Sequence, residues 1–306
     1  MGARTLFFGS GDVALPALDR LLASEHVTVT AAVTAPPRPA GRKRVLKPTP
    51  VADAATQAGL PLLTPTTLRD DGVLAELAAG TPELIVLADY GRIIPPAVLD
   101  LPPHGALNIH PSLLPRHRGA APVQATILAG DAVAGVTLMR MDAGLDTGPI
   151  VAQAEVELAG DETAPVLERR LAELGADLLE ANLKGWLDGS VTARPQSADG
   201  VTLTRPLRRD DGRLDPDRPA VELERQVRAY QPWPGSYIEL EGGPLKVWAA
   251  SVLAAEEGRP GDPGDLVDVG DTLALRTAGG LLRLDQVQPA GKRRMRGADY
   301  RRGRRA

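Results

Sequence analysis

Apolar positions in the first 190 residues alternate between two periods. Residues 4–8 (RTLFF) form a short apolar run that stops at Gly9, and between positions 13 and 22 the apolar residues return at helical spacing. A strand, a turn and a helix are predicted there. A second strand is predicted over 26–34 (HVTVTAAVT), then a loop rich in Pro, Gly and Arg through 48, then helices near 50–58 and 68–79. Residues 83–88 (ELIVLA) are almost wholly apolar, as expected of an interior strand covered on both faces. Further strands are predicted near 106–110, 135–141 and 149–156, with a helix at about 122–130. A long helix is predicted over about 163–187, where Leu167, Leu171, Leu174, Leu178 and Leu179 share one stripe. Strands alternating with helices in this way predict βαβ units, hence an α/β domain with an open parallel sheet.

The period changes after residue 204. Residues 188–204 (DGSVTARPQSADGVTLT) are polar and carry Gly and Pro, which suits a connection between domains. A helix near 219–229 follows. Short alternating runs at 237–241, 245–250, 264–269, 272–276 and 281–286, divided by turn signals such as Glu241-Gly242-Gly243 and Gly279-Gly280, then predict a small β-barrel or sandwich. The expected division is therefore a first domain over 1–187, a connection over 188–206 and a second domain over 207–306.

Composition narrows the setting. The 306 residues include no Cys, so disulfides, thiolate nucleophiles and thiolate metal ligands are excluded, and a reducing compartment, the cytoplasm, is expected. No stretch approaches the roughly 20 apolar residues that cross a bilayer, and no signal-peptide pattern opens the chain. Charge is uneven: the net value is −4, yet residues 1–204 carry 16 basic and 23 acidic side chains and residues 205–306 carry 19 and 16. Positions 38–47 (RPAGRKRVLK) hold 5 basic residues and no acid, and positions 292–306 (KRRMRGADYRRGRRA) hold 8 basic residues and 1 acid. Separate cationic patches on an acidic protein suit one polyanion docked in a defined pose, although an Arg-rich terminus is also commonly a solvated tail.

Two motifs compete for the chemistry. Gly9-Ser10-Gly11-Asp12-Val13-Ala14 fits G-x-G-x-x-[GA] between a strand and a helix, where a dinucleotide pyrophosphate would sit. The second strand, however, ends Val33-Thr34-Ala35-Pro36-Pro37 without the acid that holds a ribose. Asp12 also places a carboxylate where the phosphate should be, so a helix N-cap region is the better reading. The more informative segment is Gly105 to Gly148. Asn108 and His110 lie two apart on a predicted strand, so both side chains leave one face and converge on one bound group. An amide donor beside an imidazole suits acyl transfer to an amine, in which one group holds the oxyanion and the other handles protons. Asp146 lies in a Gly-framed turn, from which its carboxylate can pair with His110, raise its pKa and help move the amine proton. Asn-x-His is common and an Asp in a Gly-rich turn is ordinarily an Asx-turn residue, so the combination carries the argument. His104, His110 and His117 form a rival metal set, but they lack zincin spacing and a completing Cys or Glu, and no metal is expected. His117, between Arg116 and Arg118, is assigned to a cationic loop.

The residues that frame this segment resemble the methionyl-tRNA formyltransferases, within the wider folate-dependent formyltransferases. The resemblance runs nearly end to end. It rests on Arg38-Pro39-Ala40-Gly41-Arg42 with Pro48-Thr49-Pro50-Val51, on Tyr90-Gly91, on the run from Asn108 through His110-Pro111-Ser112-Leu113-Leu114-Pro115 to Gln124, and on Gly135-Val136-Thr137 through Asp146-Thr147-Gly148. Pro232-Trp233-Pro234 and Leu245-Lys246-Val247-Trp248 extend it into the second domain. It implies a Rossmann-like, mostly parallel sheet of formyltransferase topology and a small OB-like β-barrel. It also implies transfer of a formyl group from 10-formyltetrahydrofolate to the methionine α-amine of initiator methionyl-tRNA, with tetrahydrofolate leaving. Asn108 and His110 would then stabilise the oxyanion, and Asp146 would tune His110. Leu87, Ala88, Asp89, Tyr90, Gly91, Ser112, Leu113, Leu114 and Pro115 would line the folate pocket. Arg38, Arg42, Lys43, Arg44 and Lys47 in an Arg-rich loop, with Lys246, Lys292, Arg293 and Arg294, would contact the tRNA. A monomer away from any membrane is expected. Four positions depart from the family pattern: Asp89 where Ala is usual, Gly11 where Pro is common, Val13 where Phe is common and His117 where Trp is common. The competing readings are a folate-dependent formyltransferase acting on a sugar-nucleotide or other small amine, and a non-catalytic RNA-binding protein with a vestigial fold.

Overall fold

The computed structural model describes residues 2–40, 45–253 and 261–304. Two compact units emerge: one takes in Met1–Pro122, Val133–Glu157 and Glu168–Thr204, the other Val123–Ala132, Leu158–Leu167 and Arg205–Ala306. Among the described residues no helix is long and apolar enough to cross a membrane.

The first unit is built on a seven-stranded sheet in the order Ile150–Glu157, Val133–Arg140, Ala106–His110, Leu84–Ala88, Ala3–Gly9, Val27–Val33 and Leu62–Leu63. The strands from Ala106–His110 to Leu62–Leu63 pair in parallel, and the two on the other side are antiparallel. The mostly parallel open sheet is the expected one. Leu84–Ala88 is buried along its whole length, which explains why a run with no polar alternation forms a strand: helices cover both of its faces. On one face Leu6, Phe8, Val33, Ile85, Leu87 and Tyr90 form a core with Leu77 and Val98 of the helices Asp71–Ala79 and Pro96–Leu99. Phe8 and Tyr90 meet edge to face, with centroids 5.2 Å apart.

The long helix Ala164–Asp188 buries Leu171, Ala176, Leu179 and Leu183. Gly175 is its point of closest approach to the sheet, since a Cβ there would stand 2.5 Å from Ile109 Cγ2 and 3.2 Å from Val136 Cγ1. Residues 188–204, read from sequence as a connection, pack within this unit up to Thr204. Arg194 bridges Ile150, and Leu203–Thr204 forms a two-residue parallel ladder with Arg118–Gly119.

The second unit holds a six-stranded antiparallel sheet whose main path is Ser236–Ile238, Leu245–Leu253, Gly280–Gln288, Thr272–Thr277 and Leu266–Val269, with Met295–Arg296 added beside Gly280–Gln288. Irregular register near Val247 and Ala249 bends the long strand Leu245–Leu253, consistent with the small barrel expected. Leu223 and Val227 of the helix Ala220–Ala229 fill its core against Leu245, Val247, Leu282 and Leu284. The final basic stretch, which the sequence left open as a solvated tail, forms the helix Gly297–Arg304.

Gly175→Ala tests whether this packing holds the central strand. Overpacking costs about 1–3 kcal/mol, against roughly 1 kcal/mol of helix propensity gained by Ala. A net loss of up to about 2 kcal/mol in urea unfolding is expected, whereas a raised midpoint would mean the helix does not press on Ile109.

Candidate active site

The strand Ala106–His110 ends at the carboxyl edge of the parallel sheet, the usual place for a ligand crevice. Its register sets Asn108 beside Leu87 and Met139, and His110 beside Thr137. Asn108 is half-buried, and its amide makes no hydrogen bond to another described residue, so its donors remain for a ligand. His110 is buried. Its Nε2 lies 3.1 Å from the His117 carbonyl. A carbonyl only accepts, so the ring hydrogen sits on Nε2 and the lone pair on Nδ1.

That lone pair faces Asp146, whose Oδ2 is 3.7 Å from Nδ1, with side-chain exposures of 6% for His110 and 15% for Asp146. The carboxylate acts on the ring as expected, pushing its pKa upward, but the net result is the reverse of the sequence expectation. Burial outweighs the carboxylate and holds His110 below its ordinary value. The imidazole is therefore neutral at pH 7, with a base nitrogen beside a carboxylate.

Asp146 is held from two sides. Its backbone adopts φ +50°, a conformation Asp tolerates better than most residues. Its Oδ2 accepts from the Gly119 N–H at 2.7 Å, and its carbonyl accepts from Gln196 Nε2 at 2.8 Å. Gln196 also donates to the Gly148 carbonyl at 2.7 Å and accepts from the Arg118 guanidinium at 2.7 and 3.1 Å. The neighbouring loop is fixed by Thr137, whose hydroxyl is fully buried. It donates to the Ser112 carbonyl at 2.7 Å and accepts from the Leu114 N–H at 3.0 Å and from Gln153 Nε2 at 2.9 Å. His117 is tied by its N–H to Thr202 Oγ1 at 2.7 Å. Gln196, Thr137, Gln153 and Thr202 were not singled out from sequence. Only Thr137, inside the Gly135-Val136-Thr137 motif, carried a signal there.

The segments expected to bind folate fall at the same edge. Leu87 and Ala88 close a buried strand, Tyr90 is buried with a hydroxyl that has no partner, and Gly91 turns the chain at φ +69°. Ser112 Oγ donates to the Arg116 carbonyl at 2.7 Å, while Leu114 is buried and Leu113 and Pro115 are half-buried. Asp89, at φ +47°, is exposed as a residue at its rim, but its carboxylate turns in against Gly11. Its Oδ2 occupies the space that a Cβ at position 11 would need. Gly11 leaves the space that the Asp89 carboxylate fills, and a side chain at position 11 would turn that carboxylate away. Surrounding protein desolvates this carboxylate and pushes its pKa up to about 6, with the nearby Asp12 adding to the shift and the Gly11 backbone N–H opposing it.

Among the residues expected to bind tRNA, Arg38 and Lys47 are exposed partners in a small hairpin formed by Arg38–Ala40 and Val45–Lys47. Arg42, Lys43 and Arg44 lie outside the described residues. Lys246, Lys292, Arg293 and Arg294 are exposed on the second unit. Among the described residues no three His, Cys, Asp or Glu side chains gather as metal ligands. An open depression of about 580 Å³ lined by Arg118, Thr147, Pro149, Gln196 and Val201 contains none of Asn108, His110 and Asp146. It shares only bracing residues with the site.

An amide donor, a neutral imidazole and a carboxylate at a sheet edge are the groups of an acyl-transfer enzyme. The chain matches the formyl transferase family over residues 3–183 and the formyl transferase C-terminal domain over residues 206–305. It is 48% identical over 303 residues to the methionyl-tRNA formyltransferase of Roseiflexus sp. (strain RS-1), covering 99% of this chain and 93% of that protein. With the enzyme of the same name from Halorhodospira halophila the identity is 46%, covering 100% and 97%. The chain belongs to the methionyl-tRNA formyltransferase family. In fold it is similar to an N-formyltransferase from Helicobacter canadensis solved with folinic acid and dTDP-3-aminofucose, with TM-score 0.70, 16% identity, and 94% and 100% of the two chains covered. It is also similar to HypX from Aquifex aeolicus in complex with tetrahydrofolic acid, with TM-score 0.61, 18% identity, and 98% and 47% covered.

The raised pKa of Asp89 predicts a pH-dependent stability. The folded state binds this proton up to about pH 6 and the unfolded chain only to about 3.8, so stability falls as pH rises through that window. Asp89→Asn is expected to raise the melting temperature at pH 8 and to leave it unchanged below about pH 4. A gain at low pH instead would contradict the desolvated carboxylate.

Proposed function

We propose that the chain transfers the formyl group of 10-formyltetrahydrofolate to the α-amine of methionine carried by initiator tRNA. The observation that carries the reading is the buried, neutral His110 set beside Asp146 and two residues from an uncommitted Asn108 amide. It occurs in a chain whose full-length relatives bear that name. The neutral amine adds to the formyl carbon, and the carbonyl oxygen becomes an oxyanion that accepts from the Asn108 amide. The excess proton on the new C–N bond passes to His110 Nδ1. The imidazolium so formed adds a second donor to the oxyanion, and the Asp146 carboxylate offsets its charge. The proton then moves to N10 as the carbon–N10 bond breaks, leaving tetrahydrofolate and the formamide.

The donors left unspent by Asn108 and Tyr90 suit a polar heterocycle at this edge. Residues 1–187 supply the chemistry, and residues 207–306 grip the phosphate backbone, which gives affinity without reading sequence. Residues 188–206 join them, and their Gln196 and Thr202 brace the site. The enzyme acts as a monomer in the cytoplasm, where initiator tRNA is charged. A sugar-nucleotide amine as acceptor leaves the cationic second domain without a role.

Incubation with 10-formyltetrahydrofolate and methionyl-tRNA should yield N-formylmethionine on the tRNA. His110→Ala should cut turnover by roughly 10²-fold or more while tetrahydrofolate affinity stays nearly constant. Formylation of a free amino-sugar nucleotide in place of the tRNA, or folate binding lost in step with turnover, would overturn the reading.

A further inference from the structure

The cations near the end of the chain divide into two groups. Arg296 and Arg302 are both held by Asp299, and Arg301 lies 2.9 Å from Asp268. These three pairs bind the closing helix Gly297–Arg304 to itself and to its own unit. Among the described residues, Lys292, Arg293, Arg294 and Lys246 have no carboxylate partner.

Two of the four, Arg294 and Lys246, lie over one indole, and the backbone of a third, Lys292, is held by that indole's hydrogen-bond partner. Lys246 sits opposite Gln288 in the sheet. Gln288 Oε1 accepts from Trp248 Nε1 at 3.0 Å, and Gln288 Nε2 donates to the Lys292 carbonyl at 2.9 Å. The Arg294 guanidinium carbon lies 4.1 Å from the centre of the half-buried Trp248 ring, and Lys246 Nζ lies 5.9 Å from it. A guanidinium resting against an indole is ordered without having its charge neutralised, and N–H groups not spent on the ring remain for an acceptor. Carboxylates would have been the simpler way to quiet these charges, as they are for Arg296, Arg301 and Arg302. Leaving them unneutralised costs self-repulsion that a polyanion relieves.

We propose that Trp248 is a positioning residue for RNA. It holds Arg294 and Lys246 as a preformed clamp, braced through Gln288, that takes phosphates of the tRNA backbone. The inference rests on the reading of the acceptor as tRNA. The clamp fits phosphate oxygens because guanidinium donors match their geometry, and it adds affinity without base readout.

The test is binding of initiator tRNA to the full chain, by fluorescence anisotropy across a salt series, for the wild type, Arg294→Ala, Trp248→Leu, Trp248→Phe and the Arg294→Ala/Trp248→Leu double variant. Each single replacement that removes the indole or the guanidinium should weaken binding and lower the slope of log K against log salt by about one. The double variant should lose less than the sum of the two single losses, because Trp248 acts in large part through Arg294 and otherwise only through Lys246. Trp248→Phe should recover part of the loss. In the formylation assay KM for tRNA should rise while KM for the formyl donor stays constant. An unchanged slope in Arg294→Ala, or additive losses in the double variant, would overturn the clamp. RNA affinity that follows this pattern in a protein unable to formylate methionyl-tRNA would uphold the clamp and remove the function proposed above.

Discussion

The site depends on a contest between burial and a single carboxylate. An imidazole sealed at the end of a sheet strand loses hydration that its charged form needs, and Asp146 at 3.7 Å restores only part of it. The ring is left neutral yet able to accept a proton, because the carboxylate is already in place to stabilise the cation. A more exposed His110 would gain little from that neighbour. A buried one without it would have no means of holding a proton.

Most of the first unit serves to keep that pair in register. The parallel pairing of Leu84–Ala88 with Ala106–His110 brings Asn108 and His110 to the carboxyl edge. The His117 carbonyl fixes the ring tautomer, and the Gly119 N–H and Gln196 fix the two ends of Asp146. Thr137 and Gln153 hold the intervening loop through a hydroxyl and an amide nitrogen, while the Gln153 amide oxygen accepts from Arg194. These braces are polar groups satisfied inside the fold, so they add rigidity without leaving donors or acceptors stranded.

Much of this was legible along the chain. The apolar run at 83–88 and the period of residues 163–187 mark elements whose burial demands that pattern, and the structure has both. The placement of the candidate residues was legible as well, since Asn108 and His110 share a strand face by spacing alone. What escaped was long-range or weakly patterned. Gln196 lies in a polar stretch that reads as a connection, and its hydrogen bonds join positions nearly 50 residues away. The hairpin at Arg38–Ala40 and Val45–Lys47 is too short for a period to show. The helix Gly297–Arg304 has a charged composition with little apolar face, and ion pairs to Asp299 and Asp268 contribute what apolar periodicity does not. The sign of the His110 shift also escaped, because sequence shows the carboxylate but not the depth of burial.

The protonation state of His110 is the most direct test of this balance between burial and charge. A ¹⁵N NMR titration of the imidazole, in the wild type and in Asp146→Asn, reads its pKa and tautomer together. The structure predicts a neutral ring at pH 7 with its hydrogen on Nε2, a pKa below the ordinary 6.5, and a further fall when the carboxylate is removed. A ring that titrates at or above 6.5, or that ignores the Asp146 substitution, would contradict it.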